Sequence, residues 1–320
     1  MWIWLSFAVW FSSLGYSSGG LPLPAPKWVE PEISYPLEAP HSDTLPKRWV
    51  TWNLQWFPGQ IPCADRVGRL KHEAEVKKWL GRLKPDVGIF QEVLDADALK
   101  GSASDFPWRA VTRFSRAADE QEKLPPQNLA ICSRVPWVEA WEVDFDRLPL
   151  TPDRPVRGFL GVMWRMKKGK TWTAYAVHLK SNRGGREATA KRRERAIEYL
   201  RMDWRRRGLS PEQDPVLVAG DFNCSLKNPE FRTEKTIRGL LGEGWVSVTE
   251  QLDWPEGATV RPDPALKYPP TDFDHILLSP GWVKKMESTK REVGVLQNPD
   301  IPSDHWPVWM KLGNQASIEP

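Results

Sequence analysis

The stretch Pro215-Val216-Leu217-Val218-Ala219-Gly220-Asp221-Phe222-Asn223 constrains this chain more than any other. Its apolar run, Val216 to Ala219, reads as a short, fully buried strand. The run stops at Gly220, where a side chain would obstruct a close approach of backbone or ligand. In extended backbone, residues two apart project to the same side. Asp221 and Asn223 are therefore expected to face one pocket at the sheet's end, with Phe222 turned into the core. A carboxylate binds a cation or orients a water, and a carboxamide donates to a phosphate oxygen. Gly-Asp and Asp-x-Asn also serve ordinary turns, so the meaning of the stretch depends on what the rest of the chain supplies.

At 320 residues, 19 of them Trp, the chain has the length and the aromatic bulk for a sizeable core. A formal charge of +4 suits a polyanionic partner without identifying one. Residues 1–20 read as a secretory signal: an apolar run from Trp2 to Phe11, too short to span a bilayer comfortably, followed by small residues around Ser13-Leu14-Gly15. No Lys or Arg precedes the run, so an uncleaved anchor is the alternative. The expected location is secreted or periplasmic. Residues 21–46 are Pro-rich and lack a hydrophobic period, which predicts an extended linker over the surface. One domain, 47–315, follows, with no internal repeat and no transmembrane pattern. Cys63, Cys132 and Cys224 are too few and too scattered for a disulfide framework or a zinc site. One disulfide with a leftover thiol and three buried free thiols are both compatible with them.

Alternation in Arg48 to Trp56 predicts a strand, with Val50, Trp52 and Leu54 opposed to Thr51, Asn53 and Gln55. Arg66 to Leu83 predicts an amphipathic helix carrying Val67, Leu70, Ala74, Leu80 and Leu83. Strands are expected at Asp86 to Phe90, Asn128 to Ser133, Trp137 to Val143, Arg157 to Trp164, Thr171 to His178, Phe273 to Leu278 and Trp306 to Met310. A second helix, Arg186 to Arg207, carries Ala190, Ile197, Leu200 and Trp204 on one face. Strands in runs with two long helices predict stacked sheets flanked by helices.

Several strand-like runs end beside polar groups suited to phosphate-ester chemistry: Asn53, Glu92, His178, Asp274 and the Asp304-His305 pair. Each alone has an ordinary reading. Glu92 suits a helix's first turn, a histidine at a strand end is commonly a satisfied surface group, and in Asp274-His275 either residue qualifies.

The ordered set is more telling. Trp52-Asn53, Gln91-Glu92, His178-Leu179-Lys180-Ser181, Gly220-Asp221-Phe222-Asn223, Asp274-His275-Ile276-Leu277 and Ser303-Asp304-His305-x-Pro307-Val308 resemble the motifs of the endonuclease/exonuclease/phosphatase superfamily, the DNase I-like fold. Asn128 to Arg134 also fits a strand of that family. The resemblance runs from about residue 48 to the end. It implies a four-layer α/β sandwich, two packed and mainly antiparallel sheets with helices outside, and a site where loops converge at one end. It also implies a divalent cation, usually Mg²⁺ with Mn²⁺ or Ca²⁺ as alternatives, and hydrolysis of a phosphoester by an activated water. By motif, Glu92 is the principal metal ligand, Asn53 supports metal or phosphate, and Asp304 joins that shell. Asp221 orients or deprotonates the water, and Asn223 donates to the phosphoryl oxygens. His305, oriented by Asp274, bonds the phosphate or moves a proton, and His178 is the opposing donor or acid. Which histidine is the general acid stays open. A phosphate-binding Arg is expected within Asp153 to Gly158, with Arg154 favoured over Arg157.

The fold does not name the substrate. The basic loop after His178, the Arg-rich helix that follows and the positive balance favour nucleic acid, although Glu187, Glu194, Glu198 and Asp203 balance much of that helix. Gln55 in the first motif and the lead-in Tyr268 to Phe273 depart from the abasic-site repair branch. A secreted nuclease is the leading expectation. A phosphomonoesterase, inositol-phosphate phosphatase or sphingomyelinase is the alternative, and a catalytically silent binding module is the third reading.

Overall fold

Side-chain alternation sorts this chain into layers. A computed structural model describes residues 23–36, 45–114, 124–165, 169–263 and 269–313; the signal segment expected at 1–20 lies outside them. In chain order the first strands are β1 (Lys27–Val29), β2 (Glu32–Ser34), β3 (Arg48–Phe57), β4 (Val87–Val93), β5 (Trp108–Val111), β6 (Asn128–Ser133) and β7 (Glu139–Asp144). The rest are β8 (Phe159–Arg165), β9 (Thr171–His178), β10 (Val216–Asp221), β11 (Val246–Ser247), β12 (Asp274–Leu278), β13 (Arg291–Val295) and β14 (Val308–Leu312). The helices are α1 (Arg66–Leu83), α2 (Leu99–Ser102), α3 (Arg186–Arg206), α4 (Lys235–Gly242) and α5 (Pro280–Lys285). One sheet has the order β1-β7-β8-β9-β10-β12-β11, the other β13-β14-β3-β4-β6-β5-β2. Pairing is antiparallel except at β9–β10 and β3–β4.

In β3, Trp49 joins Val87 and Ile89 of β4 in a core shared with Leu160, Ala174 and Leu217 of the facing sheet. Val50, Trp52 and Leu54 point the other way, onto Val76, Trp79 and Leu80 of α1. The second sheet behaves likewise: Leu217 and Ala219 face inward, while Val216 and Val218 meet Ile197, Leu200 and Trp204 of α3 and Ile237 of α4. Helix, sheet, sheet, helix is the outcome, a four-layer α/β sandwich. Tryptophans lock the inner layer: Trp49 meets Trp164 and Trp282 edge-on at 5.4 and 5.6 Å, and Trp172 meets Trp282 at 4.6 Å.

Two expectations change. The stretch read as a linker, 21–46, contributes β1 and β2, which pair with β7 and β5 at the sheet edges. Three-residue strands are too short to show a period. In α1 the buried residues are His72, Val76, Trp79, Leu80 and Leu83, whereas Val67 and Leu70 are 74% and 54% exposed. The first turn of α1 contributes nothing to its buried stripe. All three cysteines are free, Cys132 and Cys224 buried and Cys63 exposed.

The arm is tied down by a buried carboxylate. Asp203 of α3 accepts from Trp28 Nε1 at 2.7 Å, Trp141 Nε1 at 2.9 Å, the Tyr175 hydroxyl at 2.8 Å and Arg207 Nε at 3.2 Å. Asp203→Ala leaves these donors without their acceptor. It is expected to cost about 3 kcal/mol, read as a lower urea midpoint at unchanged slope.

Candidate active site

The period of two that builds the layers also aims the site. On β10, Leu217 and Ala219 face the other sheet, so Asp221 does too. On β9, Ala174 and Ala176 set the same parity for His178; on β12, Ile276 and Leu278 set it for Asp274. Across the interface, Trp49 and its parity put Asn53 on the inner face of β3. The ends of both sheets thus point polar residues at one another. Asn53 Nδ2 donates to Asp221 Oδ2 at 3.1 Å and to Glu92 Oε1 at 3.2 Å. His178 Nε2 lies 3.5 Å from Asp221 Oδ2 and 3.8 Å from Glu92 Oε1.

Gly220 lets these neighbours meet. A Cβ there would collide with the carbonyl oxygen of Val177, and its φ of +144° suits glycine. Asp221 consequently pairs with His178 in register. Beyond the strand, Asn223 takes φ +49° and its N–H donates to Asp221 Oδ1 at 2.8 Å, while Asn223 Nδ2 donates to the Leu179 carbonyl at 3.2 Å. The turn chemistry of Asp-x-Asn is real, and it aligns a carboxylate. Phe222 is fully buried as expected.

Strict alternation would turn Glu92 away from the other sheet. Bulges in β3–β4 and β4–β6 interrupt the register there, and Glu92 adopts φ +61°. Gln55 and Trp56 on the facing bulge adopt φ +53° and +49°. Three non-glycine residues in the left-handed region at one place mark backbone strain held by its surroundings. The Trp56 N–H donates to Glu92 Oε2 at 2.9 Å. Glu92 retains 14% side-chain exposure, the open edge of an otherwise buried cluster.

Asp274 Oδ2 sits 2.7 Å from His305 Nδ1 and accepts from the Thr259 hydroxyl at 2.7 Å. Burial pulls the His305 imidazole down, but the Asp274 charge and hydrogen bond, aided by Asp221 and Asp304, outweigh it and hold its pKa well above the usual range. His178 goes the opposite way: burial, then the charge of Arg157, drives it well below. Burial raises the Asp221 carboxyl to about 7, against the pull of His305. The site therefore holds a cationic and a neutral histidine beside a carboxyl poised near neutrality, a pattern of groups pushed apart for acid and base work.

Several sequence assignments need correction. Arg154 is outside the cluster, its guanidinium bonded to the Phe145 and Asp146 carbonyls. Arg157 takes its place: its charge acts on Glu92, Asp221 and His178, and it donates to the Leu179 carbonyl at 3.5 Å. Asp304 is exposed at the rim and makes no side-chain bond to Glu92 or Asn53 among the described residues. Asn53 supports the carboxylates by donating, because its Oδ1 is taken by the Gln55 N–H at 3.0 Å. Of Asp274-His275 it is Asp274 that joins the cluster; His275 has outer-face parity and lies against the Cys224 and Asp272 carbonyls at 3.0 and 2.9 Å. Thr259 and Ser303 were not singled out for roles here. Ser303 Oγ donates to the Asn53 carbonyl at 2.7 Å and accepts from the His305 N–H at 3.0 Å, fixing the last loop to β3.

The donor set fits a hard divalent cation. Glu92 and Asp221 share one carboxamide, and among the described residues neither meets a Lys or Arg at ion-pair distance. Few carboxylate oxygens with an open side are what Mg²⁺ accepts. Asp221, Asp274 and His305 also offer ligand atoms within 4.8 Å of one another, but their internal hydrogen bonds commit Asp274 to His305.

Comparison with known proteins agrees with the geometry. The model of the Endonuclease/Exonuclease/phosphatase family matches residues 50–305. No curated protein matches the sequence. Among solved structures, an endonuclease/exonuclease/phosphatase from Beutenbergia cavernae is 18% identical, with a TM-score of 0.60 over 84% of this chain and 72% of that one. D. rerio TDP2 complexed with single strand DNA product is 20% identical, with a TM-score of 0.57 over 84% and 99%. Sphingomyelinase C from Streptomyces griseocarneus is 17% identical, with a TM-score of 0.55 over 85% and 100%. These likenesses identify the DNase I-like fold.

Proposed function

The chain belongs to the endonuclease/exonuclease/phosphatase family, and from that premise we propose that it is a magnesium-dependent phosphodiesterase acting on nucleic acid. The coarser statement, a phosphoester hydrolase, follows from the family. The observation that carries the finer reading is the cluster where Asn53 joins Glu92 to Asp221 beside two histidines, one held cationic and one neutral.

In this reading Glu92, with Asp221 nearby, would hold the cation, which when bound neutralises charge on a phosphoryl oxygen. Asp221, with a pKa near 7, takes the proton of the attacking water. His305, kept protonated by Asp274, donates its proton to the leaving alcohol's oxygen as the water's oxygen bonds phosphorus and the P–O bond to that alcohol breaks. Arg157 adds a planar cation at the same place. Neutral His178 offers an Nε2 donor toward the centre. The helix arginines contribute less to binding than the sequence alone suggests: Arg193 is buried in a bidentate pair with Glu234, and Arg195 and Arg201 pair with Asp153 and Glu243. Lys180 and Arg183 on the loop after His178 are the basic groups beside the centre. We further propose export, from the apolar run Trp2 to Phe11; amino-terminal sequencing of the protein made by its host tests that.

A second reading, a lipid phosphodiesterase, draws on the exposed aliphatic side chains of Ile61, Val67 and Leu70. Supercoiled DNA, RNA, inositol phosphates and sphingomyelin vesicles, each with Mg²⁺ or with EDTA, separate the two. Mg²⁺-dependent cleavage of a polynucleotide is the expected result. Turnover confined to the monoesters or the vesicles overturns the nuclease reading.

A further inference from the structure

We propose that the cleft beside Glu92 seats a nucleobase next to the scissile phosphate, stacked on Trp56, which makes Trp56 a specificity-determining residue; this rests on the nuclease reading. Trp56, Pro58, Ile61, Leu94, Pro125 and Pro126 line a cleft that also contains Glu92 and the guanidinium-bearing Arg69. Any group filling it is therefore attached to, or adjacent to, the phosphorus being attacked. Its walls are mostly an indole and three proline rings, flat apolar surfaces that match a planar ring better than a flexible chain, with one guanidinium among them.

The backbone explains why Trp56 stands there. Its left-handed φ of +49° aims the N–H at Glu92 Oε2, and this strained turn commits the indole to the cleft beside the same carboxylate. The surroundings of His178 are cationic, with Arg157 and Lys180 both acting on its imidazole. Lys180 Nζ donates to the Arg183 carbonyl at 3.1 Å, and burial with the charges of Arg157, Arg192 and Arg183 lowers its pKa to about 8. A ligand that meets a largely apolar, flat-walled slot at Glu92 and further cations around His178 is a polynucleotide, with a base in the slot and additional phosphates at the cations. A lipid supplies the apolar part but not the additional phosphates.

The test compares thymidylyl thymidine with its two copies in which one or the other nucleoside is a base-free deoxyribose spacer, using the mature protein and Trp56→Ala. Removing the stacked base is expected to cost the native protein about 5- to 150-fold in kcat/KM, the scale of one base–aromatic stack. For Trp56→Ala the same removal is expected to cost almost nothing, and Trp56→Phe restores the penalty. Trp56→Leu keeps apolar bulk at this half-buried position should alanine disturb the turn, and it too is expected to lose most of the penalty. An equal penalty in native protein and in the leucine or alanine variant overturns the proposal while leaving the nuclease reading intact. Native protein that cleaves none of the three, nor plasmid DNA nor RNA, sinks both, while cleavage of plasmid DNA or RNA without any of the three overturns the cleft proposal alone. Loss of sphingomyelin hydrolysis in Trp56→Ala with dinucleotide discrimination unchanged assigns the cleft to lipid instead.

Discussion

Glu92→Gln is expected to lower kcat/KM by at least about 10²- to 10³-fold at saturating Mg²⁺, the scale of losing one positioned electrostatic group. The substitution is nearly isosteric. The side-chain oxygen that remains accepts from Trp56 or from Asn53, so one of the two hydrogen bonds that support the residue at φ +61° is kept and one is lost. What disappears is the charge at the open edge of the cluster. The rate should fall together with a raised Mg²⁺ midpoint, because a neutral amide is a poorer ligand for a hard cation. The unfolding free energy should change by only about 1 kcal/mol, the scale of one lost hydrogen bond, so the fold persists while the rate falls. Full activity with an unchanged Mg²⁺ titration would remove Glu92 from the metal site and with it the assignment of the whole cluster.

How much of this was legible beforehand depends on the period of each element. Asn128–Ser133 and Thr171–His178 are strands with the bounds expected of them, and Arg66–Leu83 is the helix expected, because each is long enough to show its pattern. The parity of Ile276 and Leu278 against His275 and Leu277 was present in the sequence as well. Both faces are apolar and buried, so only the facing sheet selects Asp274 over His275. Other features are set by tertiary approach. Arg154 and Arg157 look alike in sequence. A Cβ at Gly158 would collide with the Val143 carbonyl, so β7 and β8 touch there and the chain is pinned with Arg157 beside the centre. Glu92 faces the site only because two bulges break alternation, and no single-strand pattern reports a bulge in its neighbour. In α1 the helical period was real but the wrong stripe was chosen. Val67 and Leu70 suit a core by type, yet the buried side follows His72, Val76 and Trp79.

Asp274→Asn tests the acid side of the mechanism, and a loss of about 10²- to 10⁴-fold in kcat near neutral pH is expected, the range for an impaired general acid or base. Asp274 is fully buried and its Oδ2 is shared between His305 and Thr259, so its charge acts at close range in a poorly solvated place. Two forces set the His305 proton. Burial favours the neutral ring, and the carboxylate favours the cation and wins. With Asn at position 274 the charges of Asp221 and Asp304 remain, but the largest influence favouring the cation is gone, so the pKa of His305 should drop. The sign of the pH effect follows. In the native protein the protonated donor persists until pH rises through its elevated pKa, and activity falls on that alkaline side. In Asp274→Asn the alkaline limb should move to lower pH by more than one unit, leaving activity confined to acidic conditions where Asp221, with its pKa near 7, is increasingly protonated. The two requirements then oppose each other, which is why the loss at the optimum is large rather than a simple shift. Stability should change in the same sense. A histidine whose folded pKa exceeds its unfolded value stabilises fully below about pH 6.5 and loses that contribution as pH climbs through the folded value. Asp274→Asn should therefore weaken the fold most at pH 6 and least at high pH. Rate profiles and urea midpoints from pH 5 to 10 check both. An alkaline limb that stays in place would show that His305 does not carry the working proton, and the acid assignment would pass to His178.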